Sequence, residues 1–362
     1  MKRIIICCDG TNNQLNGDLT NVIRLYRVAL KNPGQVAFYD PGVGTIPDPV
    51  ARTLLKKRWS LITGLAFGTG FDENVFDAYR HLMQVYEPGD QVFLFGFSRG
   101  AFTVRVLAGM LHAVGLLNKG TENLLPYAFN YYRAAFNPAG ARVCADLKRD
   151  MSRVCPVTFL GVWDTVSSVG MYNFNQTYPF TYENPSVAQV RHAVSLDERR
   201  AGFRSNIFKA DAALLPNGRQ RVMNVWFPGV HSDIGGGYPW AQSNLAMISF
   251  QWMVREAVAA GMDVDVSKLN QLLTECPPNP LGLIHESLKG AWKLMELLPA
   301  RRFDWSTFKS GWRWQPGKPR TILNGAILHE SVLQRIQGLD YCPASLPKVP
   351  VADLPNIFPI EK

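Results

Sequence analysis

Residues 92–102 read Val-Phe-Leu-Phe-Gly-Phe-Ser-Arg-Gly-Ala-Phe. A continuous apolar run, Val92 to Phe95, stops at a G-x-S-x-G string, Gly96 to Gly100, and a helical pattern follows from Ala101 to Val114. An apolar run without alternation is the mark of a strand covered on both faces. A tight turn between such a strand and a helix pushes its central serine outward. It needs small flanking residues because strand and helix backbones approach closely there, which is the task assigned to Gly96 and Gly100. The helix N-terminus behind Ser98 favours a developing negative charge. The stretch therefore predicts a nucleophile elbow with Ser98 at its tip.

The same pattern recurs on either side. Ile4 to Cys8 is an apolar run closed by Asp9-Gly10, and Val36 to Tyr39 is a second. Val157 to Trp163 ends at Asp164, and Val222 to Phe227 ends at Pro228-Gly229-Val230-His231. Helical spacing is read at Val22 to Ala29 behind a Thr20 cap, and over 71–86, 122–135, 140–152 and 243–260. Alternating strands and helices predict an α/β fold with a mostly parallel central sheet and helices on both faces, and the nucleophile elbow makes it α/β-hydrolase-like. Residues 1–262 are read as the catalytic domain, with an insertion at about 166–220 that has little strand signal and is a candidate cap. Residues 263–362, helices and proline-rich loops, are read as an accessory or lid layer on the same domain.

A serine hydroxyl is a poor nucleophile until a base takes its proton. In this fold class the acid and histidine follow the serine in chain order, each in a loop after a later strand. Asp164 and His231 meet both conditions. His192, ahead of a charged, helical-looking stretch from Ala193 to Phe203, is the strongest rival base. His81 and His112 lie inside helical patterns, and His285 and His329 lie in the weakly patterned C-terminal part. Asp233, two residues after His231, is too near in sequence to reach the ring well and is assigned to tying down the loop Gly235-Gly236-Gly237. An oxyanion hole takes backbone N–H groups from Arg99 and from the loop after the first strand, Gly10 and Thr11, with Asp9 in support. Asp9-Gly10-Thr11 also resembles a phosphatase strand end. That chemistry needs an aspartate two residues before Asp9, and the residue there is Cys7.

With 47% hydrophobic residues the chain has material for a sizeable core. Its formal net charge of +9 comes from scattered clusters such as Lys56-Lys57-Arg58 and Arg199-Arg200, without a nucleic-acid motif, so an anionic lipid surface is the partner preferred over nucleic acid. The six cysteines contain no C-x-x-C, which excludes a zinc or redox motif and is expected of reduced thiols in a cytoplasmic fold. The apolar run after the basic start ends at Asp9, too short for a signal-peptide core, and no run of about 18 apolar residues spans a membrane. No metal and no organic cofactor is expected. Trp163 and Trp240 are candidates to line an acyl pocket or to serve packing.

Five segments together carry a family resemblance: CDGTNN (8–13), GFSRGAF (96–102), GVWDTVSSVG (161–170), RHAVSLDERR (191–200) and PGVHSDIGGGY (228–238). In this order, over roughly the first 260 residues, the chain resembles the catalytic domain of the group-1 type VI secretion lipase effectors, a bacterial α/β-hydrolase family. The resemblance implies a Ser-Asp-His triad that falls on Ser98, Asp164 and His231, and acyl esters of phospholipids as substrates. It implies export by a contact-dependent secretion system, with a secretion spike and an immunity protein as partners. The C-terminal third shows no recognisable membrane-binding region of the family. The resulting expectation is a carboxylic-ester hydrolase, lipase or phospholipase. The alternatives are a soluble small-ester esterase and a catalytically silent binding module.

Overall fold

The computed structural model describes residues 1–10, 19–42, 70–166, 177–290, 292, 293, 296, 300–304, 309–314, 316–323 and 325–362. In chain order the elements that build the site region are β1 (Arg3–Cys8), α1 (Asn21–Val28), β2 (Gln35–Asp40), α2 (Phe71–Val85), β3 (Gln91–Phe97), α3 (Arg99–Val114), α4 (Leu125–Ala134) and α5 (Pro138–Met151). They continue with β4 (Val157–Trp163), β5 (Val190–Ser195), β6 (Val222–Phe227), α6 (His231–Gly235), α7 (Asn244–Ala259), α8 (Val266–Glu275), β7 (Ile327–His329), α9 (Glu330–Gly338) and β8 (Ile360–Glu361). The eight strands form one sheet in the order β8-β7-β6-β5-β4-β3-β1-β2. Every neighbouring pair is parallel. The protein is an α/β fold with its helices around this sheet.

Both faces of the sheet are covered, which explains the apolar runs. Along β1, Ile4, Ile6 and Cys8 join the core under α2 and α3, while Ile5 and Cys7 join the core under α1 and α7. The period of two sends alternate side chains to opposite faces, and both are dry. Trp163 and Phe95 pack in the second of these cores, so Trp163 is a core residue. Trp240 is covered by the Arg24 guanidinium at 4.8 Å from its ring centroid.

Two segments differ from the sequence reading. The stretch 166–220, read as an insertion with little strand signal, supplies β5, buried along its whole length between β4 and β6. His192 therefore lies within a strand and not ahead of a helix. The strand was masked by its polar residues: Arg191, fully buried, is matched by Glu256 at 2.7 Å. The C-terminal segment supplies β7 and β8 to the same sheet, and Leu328, Val332 and Phe358 share a third core with Val194, Leu196 and Trp226. Strands of three and two residues are too short to show a period. Among the described residues no helix is long and apolar enough to cross a membrane.

Strand order reverses between β1 and β3: β1 leads outward to β2, and β3 leads to all the others. In open parallel sheets the crevice beyond the carboxyl ends at such a point is the natural ligand site. The register aligns those ends, with Cys8 beside Gly96, Phe97 beside Trp163 and Ser195 beside Phe227.

A Cβ on Gly100 would lie 2.1 Å from the Cys8 carbonyl oxygen, a backbone atom that cannot swing away. Gly100→Ala should therefore cost about 2 kcal/mol or more of stability. Gly202→Ala, whose Cβ meets nothing within 4 Å, should stay within about 0.5 kcal/mol of wild type. Urea unfolding of the two variants measures the contrast; equal midpoints would contradict the close approach.

Candidate active site

Ser98 stands between β3 and α3 with φ 57° and ψ −120°. A non-glycine residue at positive φ is strained, by about 1–3 kcal/mol, and persists only where its surroundings hold it. Here its N–H donates to the Trp163 carbonyl at 3.1 Å and its carbonyl accepts from the Val166 N–H at 3.3 Å. A Cβ on Gly96 would meet the Gly100 carbonyl oxygen at 2.4 Å, and one on Gly100 would meet the backbone of Cys8 and Asp9. Both glycines are thus required by the close crossing of β1, β3 and α3. Arg99 is the first residue of α3, so its N–H has no acceptor within the helix.

Asp164 ends β4, also at positive φ (36°), and is buried. Its carboxylate is saturated with donors. Oδ1 accepts from the Ser195 N–H at 2.9 Å and from Arg320 Nη1 at 2.5 Å. Oδ2 accepts from Arg320 Nη2 at 3.0 Å and from His231 Nδ1 at 2.6 Å. A carboxylate can only accept, so the ring proton sits on Nδ1 and Nε2 keeps its lone pair. Burial alone would raise the Asp164 pKa, but Arg320 and His231 hold it well below the usual carboxylate range.

His231 opens α6 and is buried between two rings, Phe97 at 4.6 Å and Phe203 at 4.8 Å between centroids. Burial lowers its pKa, and the bond to Asp164 opposes that shift. Its backbone N–H donates to Glu198 Oε2 at 3.2 Å. Among the described residues no hydrogen bond joins the ring to the Ser98 hydroxyl. The Phe97 ring, one residue before Ser98, packs against the imidazole.

The rival histidine has a different task. His192 is fully buried; its Nδ1 is 3.1 Å from Asn224 Oδ1, and its Nε2 accepts from the Thr165 N–H at 3.2 Å. Burial and then the Arg105 charge push its pKa down to about 3. It is a neutral brace for the loop that carries Asp164. Asp233 caps its own helix through the Val230 N–H and binds His285 at 2.6 Å, and His285 reaches Gln242 at 3.0 Å. Asp9 accepts from the Thr20 and Tyr39 hydroxyls, and its Oδ1 takes the Gly10 N–H at 2.7 Å. That N–H, expected to face an oxyanion, is engaged by its neighbour in this structure. Thr11 lies outside the described residues, as does part of GVWDTVSSVG.

Two residues of the arrangement had no role in the sequence reading. Glu198 lies in the quoted RHAVSLDERR segment, which offered a signal. Buried, it gathers the His231, Arg199 and Arg200 N–H groups and the Ser287 hydroxyl. Arg320 is a lone arginine in a weakly patterned stretch 156 residues from its partner, and nothing in the sequence marked it.

A family model described as the catalytic domain of the type VI secretion phospholipase effector Tle1-like proteins matches residues 2–256. The chain belongs to this family. It is 35% identical over 224 residues to the uncharacterized protein YEL023C of Saccharomyces cerevisiae, a match covering 57% of this chain and 33% of that protein. Among solved structures, an uncharacterized protein from Pseudomonas aeruginosa aligns with TM-score 0.46 and 19% identity, over 77% of this chain and 49% of that one. The Tle1 effector bound to the VgrG spike of the type 6 secretion system aligns with TM-score 0.35 and 22% identity, over 67% and 52%. This chain thus spans a third of the curated relative and about half of either solved chain.

His192 gives a pH dependence with a definite sign. Its folded pKa of about 3 lies below the ordinary 6.5. The unfolded chain therefore binds the extra proton first, and stability falls as pH drops from 6.5 toward 3, by up to about 1.4 kcal/mol per unit. His329, also lowered to about 3 by burial, adds in the same window. His192→Gln should leave a shallower slope of unfolding free energy between about pH 6 and pH 4. An unchanged slope would contradict the buried neutral ring.

Proposed function

We propose that this chain is a serine hydrolase that cleaves carboxylic esters of phospholipids, with Ser98 as nucleophile, His231 as base and Asp164 as its orienting acid. The observation that carries the reading is the 2.6 Å contact of His231 Nδ1 with a buried Asp164, set beside a serine in strained elbow geometry. Membership of a phospholipase effector family supports the substrate class. The formal net charge of +9 suits an anionic lipid surface.

In this mechanism Ser98 Oγ attacks the acyl carbonyl while His231 Nε2 takes its proton. The carbonyl π electrons move onto oxygen, and the Arg99 N–H at the start of α3 donates to that oxyanion. A second donor is assigned to the loop after β1, where the Gly10 N–H would have to leave Asp9. Collapse of the tetrahedral intermediate expels the alcohol, which takes the proton from His231. Water, deprotonated by the same ring, then attacks the acyl-serine and releases the fatty acid. Asp164 keeps the ring in one tautomer and stabilises the imidazolium that forms.

Wild type should release fatty acid from anionic phospholipid vesicles and turn over a short p-nitrophenyl ester more slowly. Ser98→Ala should lower both rates by about 10³-fold or more with unchanged unfolding. Full activity in Ser98→Ala would overturn the reading. A wild type that hydrolyses only the short ester would move it to a soluble esterase.

A further inference from the structure

We propose that Arg320 is a positioning residue of this site, which fixes the Asp164 carboxylate toward His231 and offsets its charge. The inference rests on the hydrolase reading above. Arg320 lies beyond residue 256, where the family match ends, so the proposal gives the C-terminal segment a share in the chemistry.

The geometry is that of a clamp. Arg320 is buried, and its two terminal nitrogens meet the two carboxylate oxygens at 2.5 and 3.0 Å. A bidentate guanidinium fixes the plane of a carboxylate as a single ammonium cannot. The guanidinium is itself held, with Nη1 on the Ser195 carbonyl at 2.9 Å and Nε on the Phe203 carbonyl at 3.2 Å. Ser195 and Phe203 flank the site: the Ser195 N–H binds Asp164, and the Phe203 ring packs on His231. With Ser195 and His231 as the other donors, each oxygen has two partners, and the carboxylate has no second orientation of equal energy.

The electrostatic consequence is specific. Among the described residues the charged and titratable groups around His231 are Asp164 at the end of β4, and Glu198 and Arg200 after β5. Asp233 lies on α6 with His285 behind it, and Arg320 completes the set; His192 on β5 is neutral. Glu198 and Arg200 are paired at 2.9 Å and offset one another. Asp233 is turned to His285 and to the Val230 N–H. The remaining balance is between Asp164 and Arg320. With Arg320 in place the carboxylate has a permanent counter-ion, and a protonated His231 gains less from it. Without Arg320 the imidazolium would be the counter-ion of Asp164, so the ring would keep its proton to higher pH. The site would then lose its base on the acidic side.

The test compares wild type, Arg320→Met and Arg320→Lys on the short ester across pH, with thermal unfolding of each. The acid limb of kcat/KM reports the base of the free enzyme. In Arg320→Met it should move up by about one pH unit, with kcat on the plateau down about tenfold and KM within about twofold. Arg320→Lys, which keeps the charge but not the two-pronged grip, should fall between. A folded Arg320→Met with the wild-type limb and kcat would overturn the proposal, even if it unfolds at lower temperature, because that is the behaviour of a brace alone. Should Arg320→Met fail to fold, Arg320→Lys decides by the same two readouts: a lowered kcat with a raised limb supports the clamp, and wild-type values contradict it. If wild type itself is inactive, the hydrolase reading fails. NMR titration of the His231 ring in wild type and Arg320→Lys then still measures the same shift: an upward move in the variant supports the clamp, and none overturns it.

Discussion

The carboxylate of Asp164 sits where four separate pieces of chain meet. It closes β4, takes the N–H at the end of β5, holds the ring that opens α6 and receives the guanidinium of Arg320 from the C-terminal segment. A charge buried this deeply is tolerable only when fully matched, and removing one partner of such a pair commonly costs about 3–5 kcal/mol. The same group therefore organises the proposed site and ties distant segments to the carboxyl ends of the central strands. His192 reinforces it by holding the N–H of the next residue, Thr165, and Glu198 by holding the His231 backbone N–H.

Around this anchor the backbone is under constraint. Ser98 and Asp164 are both non-glycine residues at positive φ, each one step beyond the end of a strand. Their strain is held by pairing between neighbouring strand ends and by the close crossing at Gly96 and Gly100. Constraint of this kind fixes the backbone at the strand ends that carry Ser98 and Asp164. His231 meets it from above, in a dry slot between Phe97 and Phe203 where its interaction with Asp164 is little weakened by water.

Much of this was legible in the sequence because it rests on local rules. Apolar runs closed by Asp-Gly, Gly-x-Ser-x-Gly, Asp-Thr and Pro-Gly gave β1, β3, β4 and β6, and the elbow follows from the spacing of two glycines around a serine. The chain order of Ser98, Asp164 and His231 put the three after β3, β4 and β6, with the unread β5 between the last two. What stayed hidden is non-local. β5 carries a buried arginine and histidine, and their partners, Glu256 on α7 and Asn224 on the neighbouring β6, are far away in sequence, so its polarity read as surface. β7 and β8 are three- and two-residue strands whose pairing comes from the third core rather than from their own pattern. Arg320 gains its meaning only when the fold brings it to Asp164, and Gly10 was assigned a donor role that the side chain of Asp9 occupies.

If Ser98 is the nucleophile that His231 and Asp164 activate, a serine-directed phosphonylating reagent should find it. The most direct measurement is mass-spectrometric mapping of native protein treated with a fluorophosphonate, repeated with Asp164→Asn. A single adduct should form on the peptide containing Ser98, at least about a hundredfold more slowly in the variant. An adduct on another serine, or equal rates in the two proteins, would contradict it.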